Sequence, residues 1–502
     1  MARRKGRGMS MKMSCQRCTK FIFVLLLQSA LSASPTIAVS SASTLTPLPQ
    51  IRRGSSKSDA FLDRSSAKVS NAFLRKVADI RSGAIESADK RLSQCARQRL
   101  TVLLVATALF NDMLQLTMLL PIIHTLVTSP PPLGVEGNSE LALGIFFASK
   151  DICQMAMAPV AGILTSKTSP NVALLLSTVG LGLATAVFAE ATTFWQLLLA
   201  RGAQGAASAA VMCGGMSLIA ETHSANNRGS AIGLAQTGLA GGLLCGPLIG
   251  GLLFERLGRR NTFRLAAVIV LMNALAQLVL MSFAPPERHI AADAKGGGQD
   301  QKKGGKMTLL ASSRSLLTNR DILGVASSTF AIHAVVGVIK PLSQVVLDRE
   351  FGVSMVHRSL IISIATVTYF MSTPISGWVS DHMSRPHLVA LSLGLMALSA
   401  VFFALRTCFG MWAFNICVGL LGTSMGVAGS SSQSLLADLV DRNNIGSYSM
   451  AYALSDVADS LGLIVGPIVG LFLSQRFGPS SGVLSVGALC VFLTPVMLRI
   501  KP

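Results

Sequence analysis

Charged side chains set inside long apolar runs are the residues of this sequence that could do chemistry. Asp112 lies in ALFNDMLQLTMLLPIIH, Lys150 and Asp151 in FFASKDICQ, and Arg201 in LLLARGAQG. His333 and Lys340 lie in HAVVGVIKPLSQ, and Asp456 and Asp459 in YALSDVADSLG. An ion in a hydrocarbon layer is costly, so each of these residues marks a candidate functional position. Asp456 and Asp459 are three apart and would share a helix face. A carboxylate in a dry, partly closed cavity can have its pKa raised towards neutral, where it takes up and releases a proton in the working range. If it pairs with a cation when empty, protonation breaks the pair and can drive a change of shape. Asp456 with Lys150 is the candidate switch; the plainer alternative is a permanent salt bridge between two helices. His333 is either a proton carrier or a hydrogen-bonded packing residue, and His124, near a span end, is expected at the membrane interface.

The elements that must hold these residues are apolar helices. Of 502 residues 51% are hydrophobic and 13% charged, and the mean hydropathy is +0.56. A soluble domain carries about 25% charged residues, so the composition excludes a disordered chain and argues against an ordinary soluble enzyme. From Leu100 onward apolar runs recur near 101–127, 140–164, 170–189, 195–220, 228–253, 262–283, 321–347, 356–380, 386–406, 410–436, 446–473 and 480–499. About 20 residues cross about 30 Å of hydrocarbon. In lipid the backbone must satisfy its own polar groups, so the spans are helices. The expected fold is an all-α integral membrane protein with twelve transmembrane helices. Residues 284–320 contain ERHIAADAKGGGQDQKKGGK, a flexible linker that divides six spans in 100–283 from six in 321–502. Lys167, Arg228, the linker cations, Arg385, Arg442, Arg499 and Lys501 favour a cytosolic linker, while Arg256, Arg259, Arg260 and Arg264 lie on the opposite side.

The formal net charge of +20 is not a nucleic-acid footprint. Residues 1–99 hold 19 Lys/Arg against 5 Asp/Glu, a net of +14, and the remainder holds 24 against 18, a net of +6. The excess sits in the leader and on no folded face. Residues 1–33 join a basic segment, the apolar FIFVLLL and a small-residue exit, which is the pattern of a signal peptide. Residues 34–99, rich in Ser and Arg, read as a transit segment, so an organelle membrane, plastid or endomembrane, is expected. Nine scattered cysteines imply no disulfide framework. Cys15 and Cys18 lack a second pair, so no metal is expected, and no cofactor. With no P-loop and no HExxH, the chain is not expected to be an enzyme.

The two halves repeat. Gly246, Pro247, Gly250, Arg256 and Gly258 recur 220 residues later as Gly466, Pro467, Gly470, Arg476 and Gly478. Pro159 and Gly162 recur as Pro374 and Gly377. Two repeated six-span halves with a solute site between them near mid-membrane are the design of a transporter. Span five carries Gly238, Gly241, Gly242, Gly246, Gly250 and Gly251, with Pro247 among them. Glycines at this spacing make a smooth face for close helix contact, and the proline bends the helix. A pliable helix at the half-to-half interface would suit rocking; a simple packing face uses the same geometry.

The glycine stretch GLAGGLLCGPLIGG resembles the antiporter motif of the drug:proton antiporters in the major facilitator superfamily. Leu198, Arg201, Gln204 and Gly205 resemble that family's span-four motif. Gly377 and Asp381 in GWVSDHMSRPH resemble its short cytosolic loop motif, whose first-half copy, GILTSKTS, has Ser166 in place of the acid. DMLQLTMLLPII, LGIFFASKDICQ, ARGAQG and YALSDVADSLGLIVGP look most like the vesicular amine transporters. The resemblance covers about residues 100–500. It implies the major facilitator fold of two pseudo-symmetric six-helix halves, substrate contact at Asp112, a Lys150–Asp456 coupling pair, and a central cavity organised by Arg201. Two positions depart from the family. Gly429 stands where it has an acid in span ten, and Lys340 where it has an acid before the span-seven proline. The second change reverses the local charge and leaves an amine, an anion, a zwitterion or a neutral amphipathic solute open.

The expected function is therefore proton-coupled antiport of a small organic solute by alternating access, in a monomer in the lipid bilayer. Asp112, Arg201, His333 and Lys340 are expected at the solute, and Lys150, Asp456 and Asp459 in proton coupling. Gly238, Gly242, Gly246, Pro247, Gly250, Gly377 and Asp381 are expected in the moving joints. The alternatives are an uncoupled facilitator of the same fold and a non-transporting membrane receptor.

Overall fold

A computed structural model describes residues 95–119, 122, 139–283, 315–445 and 447–500. All regular structure among them is helical. Ten long helices follow in order: α1 Cys95–Met118, α2 Ser139–Lys167, α3 Pro170–Glu190, α4 Phe194–Thr222, α5 Ala225–Phe283, α6 Arg320–Arg349, α7 Met355–His382, α8 Arg385–Arg442, α9 Tyr448–Phe477 and α10 Pro479–Leu498. The leader up to residue 94, His124 and residues 284–314 of the linker lie outside the described residues.

Local chemistry sets the breaks. Ser169 accepts the Val172 N–H at the start of α3, with Pro170 in the first turn. Thr193 and Gln196 form a reciprocal capping box at the start of α4. Such caps satisfy N–H groups that have no partner inside the helix. α5 and α8 each look continuous but contain one residue in the left-handed region, Gly258 (φ 70°) and Gly410 (φ 61°). Only glycine takes that conformation without strain, and it reverses the chain there. The expected breaks near 254–261 and 407–409 are thus single-glycine corners, and each long helix is two segments. Ten helices, two of them double, give twelve helical segments among the described residues. Some overrun the apolar runs by up to six residues, as at the start of α1 and the end of α8, because helix ends continue into the polar interface.

Nine of the helices are long and apolar enough to cross a membrane. α2 carries Lys150 and Asp151 in its middle and Lys167 at its end. Trp195, Leu199, Trp412, Ile468 and Phe492 are exposed around the outside. A water-soluble protein does not show apolar residues on this scale, and lipid is the solvent they fit. The chain is a multi-pass integral membrane protein.

The sequence repeat is also a packing repeat. A methyl group built on Gly242 would lie 2.4 Å from the Phe110 carbonyl, and one on Gly250 2.4 Å from that of Met118. In the second half, one on Gly462 would lie 2.5 Å from the Phe330 carbonyl, and one on Gly470 would strike Val338. Glycines and partners both keep the 220-residue offset. The glycine face of α5, with Gly238 against Ala106 and Gly246 against Thr117, is therefore turned to α1 in its own half. This corrects the expectation that it lines the joint between the halves. The joint uses other glycines. Gly229 and Gly233 of α5 meet Gly377 of α7, and in the symmetry-related place Gly162 of α2 meets Ser449 and Ala453 of α9.

Candidate functional site

Most of the charges singled out in the sequence come together at mid-depth. Asp112 on α1 is buried, accepts the Ser208 hydroxyl of α4, and pairs with Lys150 Nζ of α2 at 3.4 Å. Its Oδ2 has no hydrogen-bond partner. One turn along α2 from Lys150, Gln154 donates its Nε2 to Asp456 Oδ1 on α9 at 2.8 Å. The expected Lys150–Asp456 pair is not formed in this conformation. Both partners are engaged elsewhere: Asp112, itself accepting from Ser208, holds the lysine in its own half, while the amide of Gln154 takes the cation's place at Asp456 across the joint. Asp456 Oδ2 is likewise buried without a partner.

Asp459 does not share the contacts of Asp456. It faces α6, where its Oδ1 lies 3.2 Å from His333 Nδ1. That ring nitrogen also meets the Thr329 carbonyl at 2.9 Å, and Asp459 Oδ1 has no well-aligned donor. His333 is thus a packing residue and an ion-pair candidate at once.

Arg201, Gln204 and Ser208 lie on one face of α4, at offsets of three and four. Arg201 is 1% exposed. Its Nη1 donates to Gln204 Oε1 at 3.1 Å, and its guanidinium sits 5.8 Å from the Phe146 ring centroid. Gln204 Nε2 donates in turn to Thr185 (3.1 Å) and to Gln115 Oε1 (3.3 Å). Nε and Nη2 of Arg201 have no partner. Lys340 of α6 is enclosed by neighbouring helices yet accessible, because it lines a cleft. That cleft lies between the charged layer and the end of the molecule opposite the linker, beside Ile339, Ile362, Tyr369, Leu421 and Met425. Gly429 packs near Gln236, and no acid replaces it there.

The linker end is sealed. Asp381, near the end of α7, accepts the backbone N–H groups of Gly229 (2.7 Å) and Ser230 (2.8 Å) and the Ser230 hydroxyl. Arg228 of α5 reaches Asp438 (3.2 Å) and Asp441 (2.8 Å) of α8. Arg385 pairs with Asp438 and donates to the Ala225 carbonyl. Ser166, at the place related to Asp381, turns its hydroxyl back to the Ile163 carbonyl. The ionic latch is therefore one-sided. The cleft and the seal sit at opposite ends, so this conformation is closed at the linker end.

Gln154, Ser208, Gln115 and the Arg228–Asp438–Asp441 cluster were not singled out from the sequence. Gln154 carried the clearest signal, four residues from Lys150 on the same face.

Comparison with known proteins agrees with this architecture. A family model, Major Facilitator Superfamily, matches residues 101–336 and 325–502. The chain belongs to the major facilitator superfamily. It is 26% identical over 368 residues to the synaptic vesicular amine transporter of Bos taurus, covering 72% of this chain and 67% of that protein. It is 24% identical over 416 residues to the probable vesicular acetylcholine transporter-B of Danio rerio, covering 81% and 80%. Among solved structures, the human organic anion transporter MFSD10 superposes with a TM-score of 0.61 at 17% identity, over 80% of this chain and 99% of that one. The proton:xylose symporter XylE gives 0.63 at 17% identity, over 82% and 97%. The two structures share the major facilitator fold with this chain. Membership of a transporter superfamily, with vesicular transporters as relatives, supports secondary transport of a small solute and is consistent with a protein that is not an enzyme.

Proposed function

We propose that this chain is a proton-coupled antiporter of a small organic solute, working by alternating access between halves 100–283 and 321–502 joined by linker 284–320. The observation that carries the reading is the row of charges crossing the joint at mid-depth. It runs Arg201, Asp112–Lys150, Gln154–Asp456, Asp459–His333 and ends in orphaned oxygens on Asp112 and Asp456. Buried polar atoms without partners are costly unless something fills them during function.

Lys150 is the moving part. In the conformation closed at the linker end it sits on Asp112, which leaves Asp456 to a neutral amide. A carboxylate without a cation in a buried site favours its protonated form. Solute binding at Asp112 releases Lys150, whose long stem then reaches Asp456 and expels its proton. The Lys150–Asp456 pair belongs to that second state. Solute and proton thus exclude one another, as antiport requires, and each shifts the balance of conformations only through its preference for one of them. His333 and Asp459 form a second titratable pair on the α6–α9 seam, and Arg201 and Lys340 bear on the solute. Gly377 with Gly229 and Gly233 forms the sliding joint, Asp381 latches it, and the bend at Pro247 and the face of Gly238, Gly242, Gly246 and Gly250 keep α5 and α1 moving as one.

The test is uptake into vesicles by the Asp456→Asn variant. Accumulation driven by a pH gradient should be lost, while exchange of labelled for unlabelled solute persists. Undiminished gradient-driven uptake would overturn the coupling role, and wild-type exchange indifferent to the gradient would make the protein an uncoupled facilitator. The monomer and the organelle membrane are proposed on the family design and the leader; a fluorescent fusion of residues 1–99 tests the latter.

A further inference from the structure

Three charges on α2, α4 and α6 are left over among the described residues when the pairs are formed. Arg201 keeps two buried N–H groups, Nε and Nη2, with no acceptor. Its other face is satisfied by Gln204, itself fixed by Gln115 and Thr185, so the guanidinium cannot turn to relieve them. Lys340 makes no ion pair among the described residues and stands at the wall of the cleft. Asp151 on α2, beside Lys150, is half-buried and makes no ion pair among the described residues. Its carboxylate is within electrostatic reach of both Arg201 and Lys340. Asp112 also acts on Arg201 and keeps a free Oδ2. Orphaned donors and orphaned acceptors therefore lie at a similar level: Arg201 and Lys340 are about two turns from the ends of α4 and α6 opposite the linker, and Asp151 is about a turn further from that end on α2.

A lone amine would answer the acids and leave two cations unmatched; a lone carboxylate would do the reverse. A head group carrying both charges a few bonds apart matches the set. The space beside Lys340 is walled by Leu243, Ile339, Ile362, Tyr369, Leu421 and Met425. Such a wall takes an apolar side chain, with charged groups at the rim giving orientation. We infer that the solute is a zwitterion of the amino-acid type with a bulky apolar side chain, its carboxylate held by Arg201 and Lys340 and its ammonium by Asp151 and the free Oδ2 of Asp112. This deepens the transport reading and rests on it for the direction of flow.

Binding to the purified full-length protein tests it, apart from any flux. Two matched sets serve as probes: tryptophan, tryptamine and indole-3-propionate; and leucine, isopentylamine and 4-methylpentanoate. In at least one set the zwitterion should bind about tenfold or more tighter than either single-charge analogue, the increment of one hydrogen-bonded charge. Lys340→Gln should reduce its advantage over the amine to about threefold or less, and Lys340→Glu should reverse the order. An amine or a carboxylate that binds as tightly as the zwitterion in both sets overturns the proposal, as does binding of none of the six. Arg201→Lys gives a second check, because a point charge lacks the forked donors and should weaken the zwitterion and the carboxylate together. A zwitterion that binds but never crosses in the vesicle assay would instead defeat the transport reading and leave this site standing.

Discussion

Replacing Asp381 by Asn should unlatch the linker end. The Asp381 side chain is 5% exposed and accepts three donors, the Gly229 and Ser230 N–H groups and the Ser230 hydroxyl. A hydrogen bond to a charged group is worth about 1.5–3 kcal/mol and a neutral one about 0.5–1.5 kcal/mol. The amide weakens each bond by about 1 kcal/mol and points its own NH2 at one donor, for about 2–4 kcal/mol in all. At 1.36 kcal/mol per factor of ten, the closed end loses about 30- to 1000-fold in population against the open one. Cys213 reports the change. It is fully buried among Ala158, Ala161, Ala209 and Ala453, the last contributed by the other half. In a variant whose one cysteine is Cys213, a water-soluble maleimide should react slowly, and adding Asp381→Asn should raise the rate by a factor in that range. An unchanged rate in a variant of unchanged melting temperature would refute the latch.

Further outcomes follow from the same contacts. Ser166→Asp restores the missing acid opposite Ser449 and Met450; it should slow Cys213 labelling and solute exchange together, as read by labelling rates and vesicle uptake. Lys150→Gln leaves Asp112 buried without its cation and should lower the melting temperature by the equivalent of about 3–5 kcal/mol. Adding Asp112→Asn should restore the melting temperature but not transport. Gly246→Ala sets a methyl group against Thr117, with about 1–3 kcal/mol of overpacking, whereas Gly251→Ala meets nothing within 4 Å and should melt like the wild type.

The sequence displayed the charges, the repeat and the spans because each rests on a local rule: an ion in an apolar run, glycine at helical spacing, enough length to cross lipid. It did not display partners. Lys150 has Asp112 and Asp456 as rivals, and nothing in residue spacing says which one a flexible stem meets in a given conformation. The glycine stripe announces a close contact, but α1 and α7 are equally good candidates for its partner until the chain is folded. Gly258 stood out only as part of the repeat and Gly410 only as the first residue of an apolar run, since their positive φ is a property of the corner. Arg228, Asp438 and Asp441 sit near helix ends, where charges are commonly solvated, so their assembly into a seal was hidden. Asp151 stood next to Lys150 in plain view; its lack of an ionic partner became visible only in three dimensions.

A bolt on one edge makes the closing end a door and not an iris. The α5–α7 edge is held by charge, while the α2–α9 edge near Gly162 rests on contact with Ser449 and Ala453. Opening that end must break three hydrogen bonds to one carboxylate on the first edge, and near Gly162 only close packing on the second. The work of parting the halves is concentrated at one of two related positions, the one that kept its acid.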